Sequence, residues 1–148
     1  MGFRLIHPSR EIWNNFADEN RHSSIFQRYE MADVYNKTRN MIGIRLAASN
    51  EDGKLLACMV VRIEYKKFLK PLTSISIIEN APLYEDSGQG RKAAQFLVKH
   101  CNEHMGNKSL YTNVKINKNI FLDSLYESEK YNKTECLNYE IKLNRDAN

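Results

Sequence analysis

The stretch LTSISIIENAPLYEDSGQGRKAAQFLVKHCNEH, Leu72 to His104, decides the fold. Leu72 to Ile78 alternates and then runs apolar, as a buried strand does. A loop follows, punctuated by Asn80, Pro82, Ser87, Gly88 and Gly90. From about Gly90 to His104 the spacing predicts a helix, with Ala93, Ala94, Leu97 and Cys101 on one face. A strand leading through a loop into a helix presents the unpaired N–H groups of the helix start, where ligands are most easily held.

Working outward, Phe3 to Ile6 reads as a short edge strand. Pro8 and Ser9 open a first helix, with Ser9 as its cap and Ile12, Trp13 and Phe16 as its apolar stripe. A polar turn over residues 20–25 leads to a second helix, Gln27 to Thr38, with Tyr29, Met31, Val34 and Tyr35 facing the core. Ile42 to Ser49 and Lys54 to Tyr65 are two strands joined by a turn ending in Asp52-Gly53, a strong hairpin signal. After Leu72 to Ile78 and its helix, Gly106 suits a left-handed C-cap. Leu110 to Ile116 is the next strand, reached by a right-handed crossover and so parallel to the one before. A short helix, Asn119 to Glu129, and a closing strand, Cys136 to Leu143, complete the order. The expected architecture is α/β (α+β): a mixed, mostly antiparallel sheet flanked by helices, in a single domain spanning 1–148.

A chain of 148 residues, 42% hydrophobic and 27% charged, buries one ordinary core. The net charge of +4 permits an anionic partner without requiring one. Cys58, Cys101 and Cys136 form no C-x-x-C pair, which suits reduced, buried thiols and a cytoplasmic protein. No apolar run approaches a membrane span, and no signal peptide is visible at Met1.

The element order is that of the GNAT acyltransferase fold. More specifically, the sequence resembles one half of the Fem-type aminoacyltransferases, which build peptidoglycan interpeptide bridges from aminoacyl-tRNA. Four stretches carry the resemblance. Ser24-Ile-Phe-Gln-Arg-Tyr-Glu-Met31 is similar to the family's entry to its second helix, and Gly53-Lys-Leu-Leu-Ala-Cys-Met59 to its hairpin. Ile78-Glu-Asn-Ala-Pro-Leu-Tyr-Glu85 is similar to its strand exit, and Leu137-Asn-Tyr-Glu-Ile-Lys-Leu143 to its closing strand. The family's helix tryptophan is Met31 here, its glycine before the loop proline is Ala81, and Asp33 stands where some members carry a phosphate-contacting lysine.

Family members carry two such halves, and the chain stops where the second would begin. The resemblance therefore implies that the isolated chain is inactive, completed by a missing second half or as a homo-oligomer. It implies a peptidoglycan precursor and aminoacyl-tRNA as partners, and no bound cofactor. Asn80, Pro82, Tyr84, Glu85 and Asp86 are expected to line the substrate side. Glu85 and Asp86 would take a proton from the attacking amine or orient it. Read alone, these two acids favour a solvated loop or an anionic partner for the helix start.

Lys115, with Lys118, and the cluster Lys66, Lys67, Phe68 and Lys70 suit sugar-phosphate or RNA contact, and equally a solvated face. Gly88, Gln89, Gly90 and Arg91 invite comparison with the acyl-CoA loop of ordinary GNAT enzymes, where helix-start N–H groups cradle a pyrophosphate. That comparison raises the alternative of an acetyl-CoA-dependent N-acetyltransferase. By themselves the residues favour a plain turn, with Ser87 at the loop's first position and Lys92 at its last. A non-catalytic interaction module is a third reading. His100 and His104 stand one turn apart but lack a third ligand, so a helix-end pair is expected rather than a metal site.

Overall fold

The computed structural model describes residues 2–65, 74–105, 111–116 and 119–129. The expected Lys66–Lys70 cluster, the Gly106 cap, Lys118 and the closing strand from Cys136 lie outside the described residues. Among the described residues, six strands and four α-helices follow in the order β1 (Arg4–Leu5), α1 (Arg10–Glu19), α2 (Tyr29–Lys37), β2 (Met41–Ser49), β3 (Leu55–Glu64), β4 (Ile75–Glu79), β5 (Leu83–Tyr84), α3 (Gly88–Met105), β6 (Tyr111–Lys115) and α4 (Ile120–Ser128). A 3-10 turn, Ile25–Gln27, precedes α2.

The sheet order is β1-β2-β3-β4-β6, with β5 also on β3. All pairs are antiparallel except β4 with β6, which are parallel, as the crossover through α3 requires. The mixed, mostly antiparallel sheet with flanking helices is the expected fold class.

β3 is the central strand, and its alternation supplies both faces. Met59, Val61 and Ile63 join Ile78 and the α3 residues Ala93, Ala94, Leu97, Val98 and Cys101 in one cluster, with Leu122, Leu125 and Tyr126 of α4. Cys58 and Val60 point the other way, into a second cluster with Trp13, Ala17, Ala32 and Tyr35 of α1 and α2. Gly43 lets α2 lie directly on β2: a methyl group there would overlap the Ala32 carbonyl.

Some expectations fail at the surface. Ser9 does cap α1, its hydroxyl accepting the Ile12 N–H. Ile12, however, is 54% exposed, and Ala17 takes its place in the core. Val34 also faces out, while Ala32 joins the expected Tyr35 in the core. The helix after the long loop starts at Gly88, two residues early, so both glycines of the G-x-G lie in its first turn.

Between Leu83 and Ile78 the pairing to β3 breaks. Val61 pairs with Ile78, and Cys58 with Leu83. Only Met59 and Val60 separate those partners on β3, whereas Glu79, Asn80, Ala81 and Pro82 lie opposite them, a bulge that bends the strand. Asn80 adopts φ 50°, and the Ala81–Pro82 bond is cis. The Gln27 side chain, fully buried, closes the gap. Its amide nitrogen donates to the Glu79 carbonyl at 2.6 Å, and its oxygen accepts the Val60 N–H at 2.8 Å. It stands where a strand peptide would. Trp13 Nε1 in turn donates to the Gln27 carbonyl at 2.7 Å.

Candidate functional site

The bulge sends β5 toward β3, while β6 runs on into α4. Asn80 N–H donates to the Lys115 carbonyl at 2.7 Å, a last link beyond the pairing of Glu79 with Lys115. Past it the strands part. α4 fills much of the opening: Tyr126 O–H donates to the Ala81 carbonyl at 2.9 Å, and the Tyr84 ring meets Phe121 edge-on at 4.8 Å. What stays open is a cavity of about 70 Å³ lined by His22, Asn80, Ile116, Asn119 and Leu122.

Three asparagines build this mouth. Asn119 caps α4 through the Leu122 N–H at 3.1 Å, and its amide nitrogen lies 3.4 Å from the Tyr84 hydroxyl. Asn20, at the end of α1, donates to the Tyr84 carbonyl at 2.8 Å and accepts the His22 N–H at 3.1 Å. That turn carries His22 to the cavity. Arg21 Nε lies 3.1 Å from His22 Nε2.

The expected site residues do not converge on one place. Asn80 lines the mouth, and Tyr84 stands beside it through Asn119. Pro82 is fully buried beneath it, so it shapes the bulge and presents no surface. Lys115 is exposed on the opposite sheet face from Val114 and pairs with Glu79 at 3.5 Å. Glu85, Gly88 and Gln89 line a separate, larger cavity of about 470 Å³ with Phe3, Ser87 and Lys92. Asp86 is exposed and pairs with Arg91 at 3.2 Å, and Arg21 Nη2 lies 3.9 Å from it. Arg91 also sits 5.8 Å above the Phe121 ring.

Glu85 is ion-paired with Lys54, which holds its carboxyl below the usual carboxylate range. Such a carboxylate stays charged at neutral pH and makes a weak base. At the entrance to α3 two N–H groups are taken by Ser87, and the 470 Å³ cavity opens beside them at Gly88 and Gln89. Ser87 Oγ accepts the Gly90 N–H at 3.0 Å, and its carbonyl accepts that of Arg91. The Glu85 carbonyl lies against Gly90 Cα so closely that a methyl group would overlap it. Gly90 is thus required by backbone packing. Gly88 faces open space.

Sequence reasoning missed His22, which sits in a polar turn without a motif, and the parts played by Asn20, Gln27 and Asn119. Asn119 alone had a signal: an asparagine at a helix start. Among the described residues, no group of three His, Cys, Asp or Glu could hold a metal ion, and no helix is long and apolar enough to cross a membrane.

No family model and no curated protein matches the sequence. Solved structures do match in fold. FemX superposes with a TM-score of 0.66 at 14% identity, covering 85% of this chain and 31% of FemX, so the chain spans about a third of that protein. A probable acetyltransferase gives 0.61 at 14% identity, covering 93% of this chain and 96% of the other. Glucosamine-6-phosphate N-acetyltransferase from Arabidopsis thaliana gives 0.56 at 17% identity, covering 96% and 99%. At these identities the likeness is one of fold, and the fold is that of the GNAT acyltransferases.

Proposed function

We infer that the chain is an acyl-transfer domain acting on an amine, and that it is one GNAT-like half of a Fem-type aminoacyltransferase. The whole enzyme would move an amino acid from aminoacyl-tRNA to an amine of a peptidoglycan precursor. The observation that carries this reading is the capped first turn of α3. Ser87 takes the Gly90 N–H, and the Glu85 carbonyl packs against Gly90. A pyrophosphate seated there would find the Gly90 and Arg91 N–H groups already paired with Ser87, which favours an ester over a nucleotide thioester as the acyl donor. The likeness to FemX over about a third of its length supports reading the chain as one part of a larger enzyme.

On this reading the acceptor amine enters between β5 and β6, where Asn80, Tyr84 and Asn119 orient it. Rate comes from bringing two substrates together rather than from a covalent enzyme intermediate. The second half, or a second copy, supplies the donor side. Glu85 and Asp86, ion-paired outside the mouth, set the local potential instead of moving protons.

The N-acetyltransferase reading is favoured by one observation, the near end-to-end match with single-domain acetyltransferases. Calorimetric titration with acetyl-CoA separates the two. The aminoacyltransferase reading expects no saturable heat. Binding in the micromolar range, lost when Gly88 is replaced by Trp, would establish the alternative.

A further inference from the structure

Just beyond the end of β5, two guanidinium groups converge on one carboxylate. Arg91 Nη2 donates to Asp86 Oδ1 at 3.2 Å, and Arg21 Nη2 lies 3.9 Å from Asp86 Oδ2. We propose that Arg21 and Arg91 are a carboxylate receptor, which Asp86 occupies in the free chain and an acidic group of the acceptor takes over. The inference rests on the acyl-transfer reading above and names a property of its acceptor: the molecule that brings the amine also carries a carboxylate.

The two arginines come from different elements, and each is aimed by a neighbour. Arg21 stands in the turn after α1. Asn20 fixes that turn to β5 by donating to the Tyr84 carbonyl at 2.8 Å. Arg21 Nε is spent on His22 Nε2 at 3.1 Å, which leaves the Nη groups for an anion. Arg91 lies in the first turn of α3, its guanidinium 5.8 Å from the centre of the Phe121 ring on α4. The Phe121 ring meets that of Tyr84 at 4.8 Å. Tyr84 therefore touches a support of each arginine, Asn20 on one side and Phe121 on the other. The receptor is built of side chains. The N–H groups of the first α3 turn that Ser87 takes are no part of it.

Asp86 fills this place incompletely. It bonds Arg91, but its 3.9 Å from Arg21 exceeds hydrogen-bond distance. Among the described residues, Asp86 is the acid that pairs with either arginine, so two positive charges meet one negative. Lys92, the next residue on α3, is exposed and adds another positive charge. All three members of the cluster are exposed, and exposed ion pairs add little stability, so exchange of Asp86 for an incoming anion costs little. The resident group also indicates the ligand. A carboxylate with one oxygen toward each arginine already fits between them, and guanidinium groups match carboxylates in geometry as well as in charge.

The test compares Nα-acetyl-L-lysine, which carries an ammonium and a carboxylate, with Nα-acetyl-L-lysine amide, which carries the ammonium alone. Each is titrated into the 148-residue chain at pH 7 and constant ionic strength, with the backbone amides of Arg21, Asp86 and Arg91 followed by ¹H–¹⁵N NMR. The carboxylate probe should bind more tightly by about threefold or more. Asp86→Asn keeps the shape and removes the competing charge, and should tighten that probe about twofold further. Arg21→Gln and Arg91→Gln should each abolish the preference. Lys99→Gln removes an exposed positive charge elsewhere on α3 and should leave it intact. Equal affinity for the two probes in the unaltered chain and in Asp86→Asn overturns the receptor and leaves the acyl-transfer reading standing. So does a preference that survives both arginine substitutions, or one that Lys99→Gln abolishes as they do. Tighter binding of inorganic phosphate than of Nα-acetyl-L-lysine overturns the assignment to a carboxylate. Saturable shifts with neither probe, in the unaltered chain and in Asp86→Asn alike, overturn the receptor and count against an amine acceptor as well.

Discussion

At the scale of a single residue, Gln27 ranks with any core side chain. It replaces a missing peptide, pairing Val60 N–H and the Glu79 carbonyl across the bulge while fully buried. A Gln27→Met variant keeps the volume and abandons both groups. Each buried polar group left unpaired costs about 1–3 kcal/mol, so a loss of about 3 kcal/mol in urea denaturation is expected. A loss below about 1 kcal/mol would mean that the bulge repairs itself and Gln27 only fills space. Periodicity makes residues such as Trp13 and Leu97 readable because they obey a repeat. Gln27 obeys none: its partners lie 33 and 52 positions away, and no local pattern announces them. His22 is hidden for the same reason. Its place in the cavity wall arises only where the turn after α1 meets the ends of β4 and β6 and the start of α4.

At the scale of the element, most of the described elements were legible. The hairpin at Asn50 to Gly53 forms as its sequence demands, with Asn50 Oδ1 accepting the Lys54 N–H at 2.9 Å. The start of α3 was less legible, because G-x-G is compatible with a loop, a phosphate cradle or a first helical turn. The structure distinguishes its two glycines by what surrounds them. Gly90→Ala pushes a methyl group onto the Glu85 backbone and should cost about 2 kcal/mol, as overpacking does. Gly88→Ala meets nothing and should be neutral or slightly stabilising, since alanine favours helix. Thermal unfolding of both variants without ligand checks this. Equal behaviour would show that the Glu85 carbonyl moves away from Gly90 freely, and the entrance to α3 would then open easily to an anion.

At the scale of the whole molecule, the sheet separates two apolar layers that share β3. Cys58 lies in the layer under α1 and α2, Cys101 in the layer under α3 and α4, and both are buried free thiols. Burial pushes the Cys58 thiol well up and that of Cys101 up to about 12, so the reactive thiolate is scarce in the native state at either place. Labelling therefore reports opening. Because Met59, Val61 and Ile63 serve one layer while Cys58 and Val60 serve the other from the same strand, neither layer can leave without unpacking β3. The two thiols should become reactive together. In a Cys136→Ser background, which leaves Cys58 and Cys101 alone, a pulse of alkylating reagent across a urea series should modify both with one midpoint. Earlier labelling of Cys101 would show the α3 and α4 layer opening as a unit of its own. The splayed strands would then be held by α4 only loosely, and the opening beside Asn80 would be wider in solution than its 70 Å³ implies.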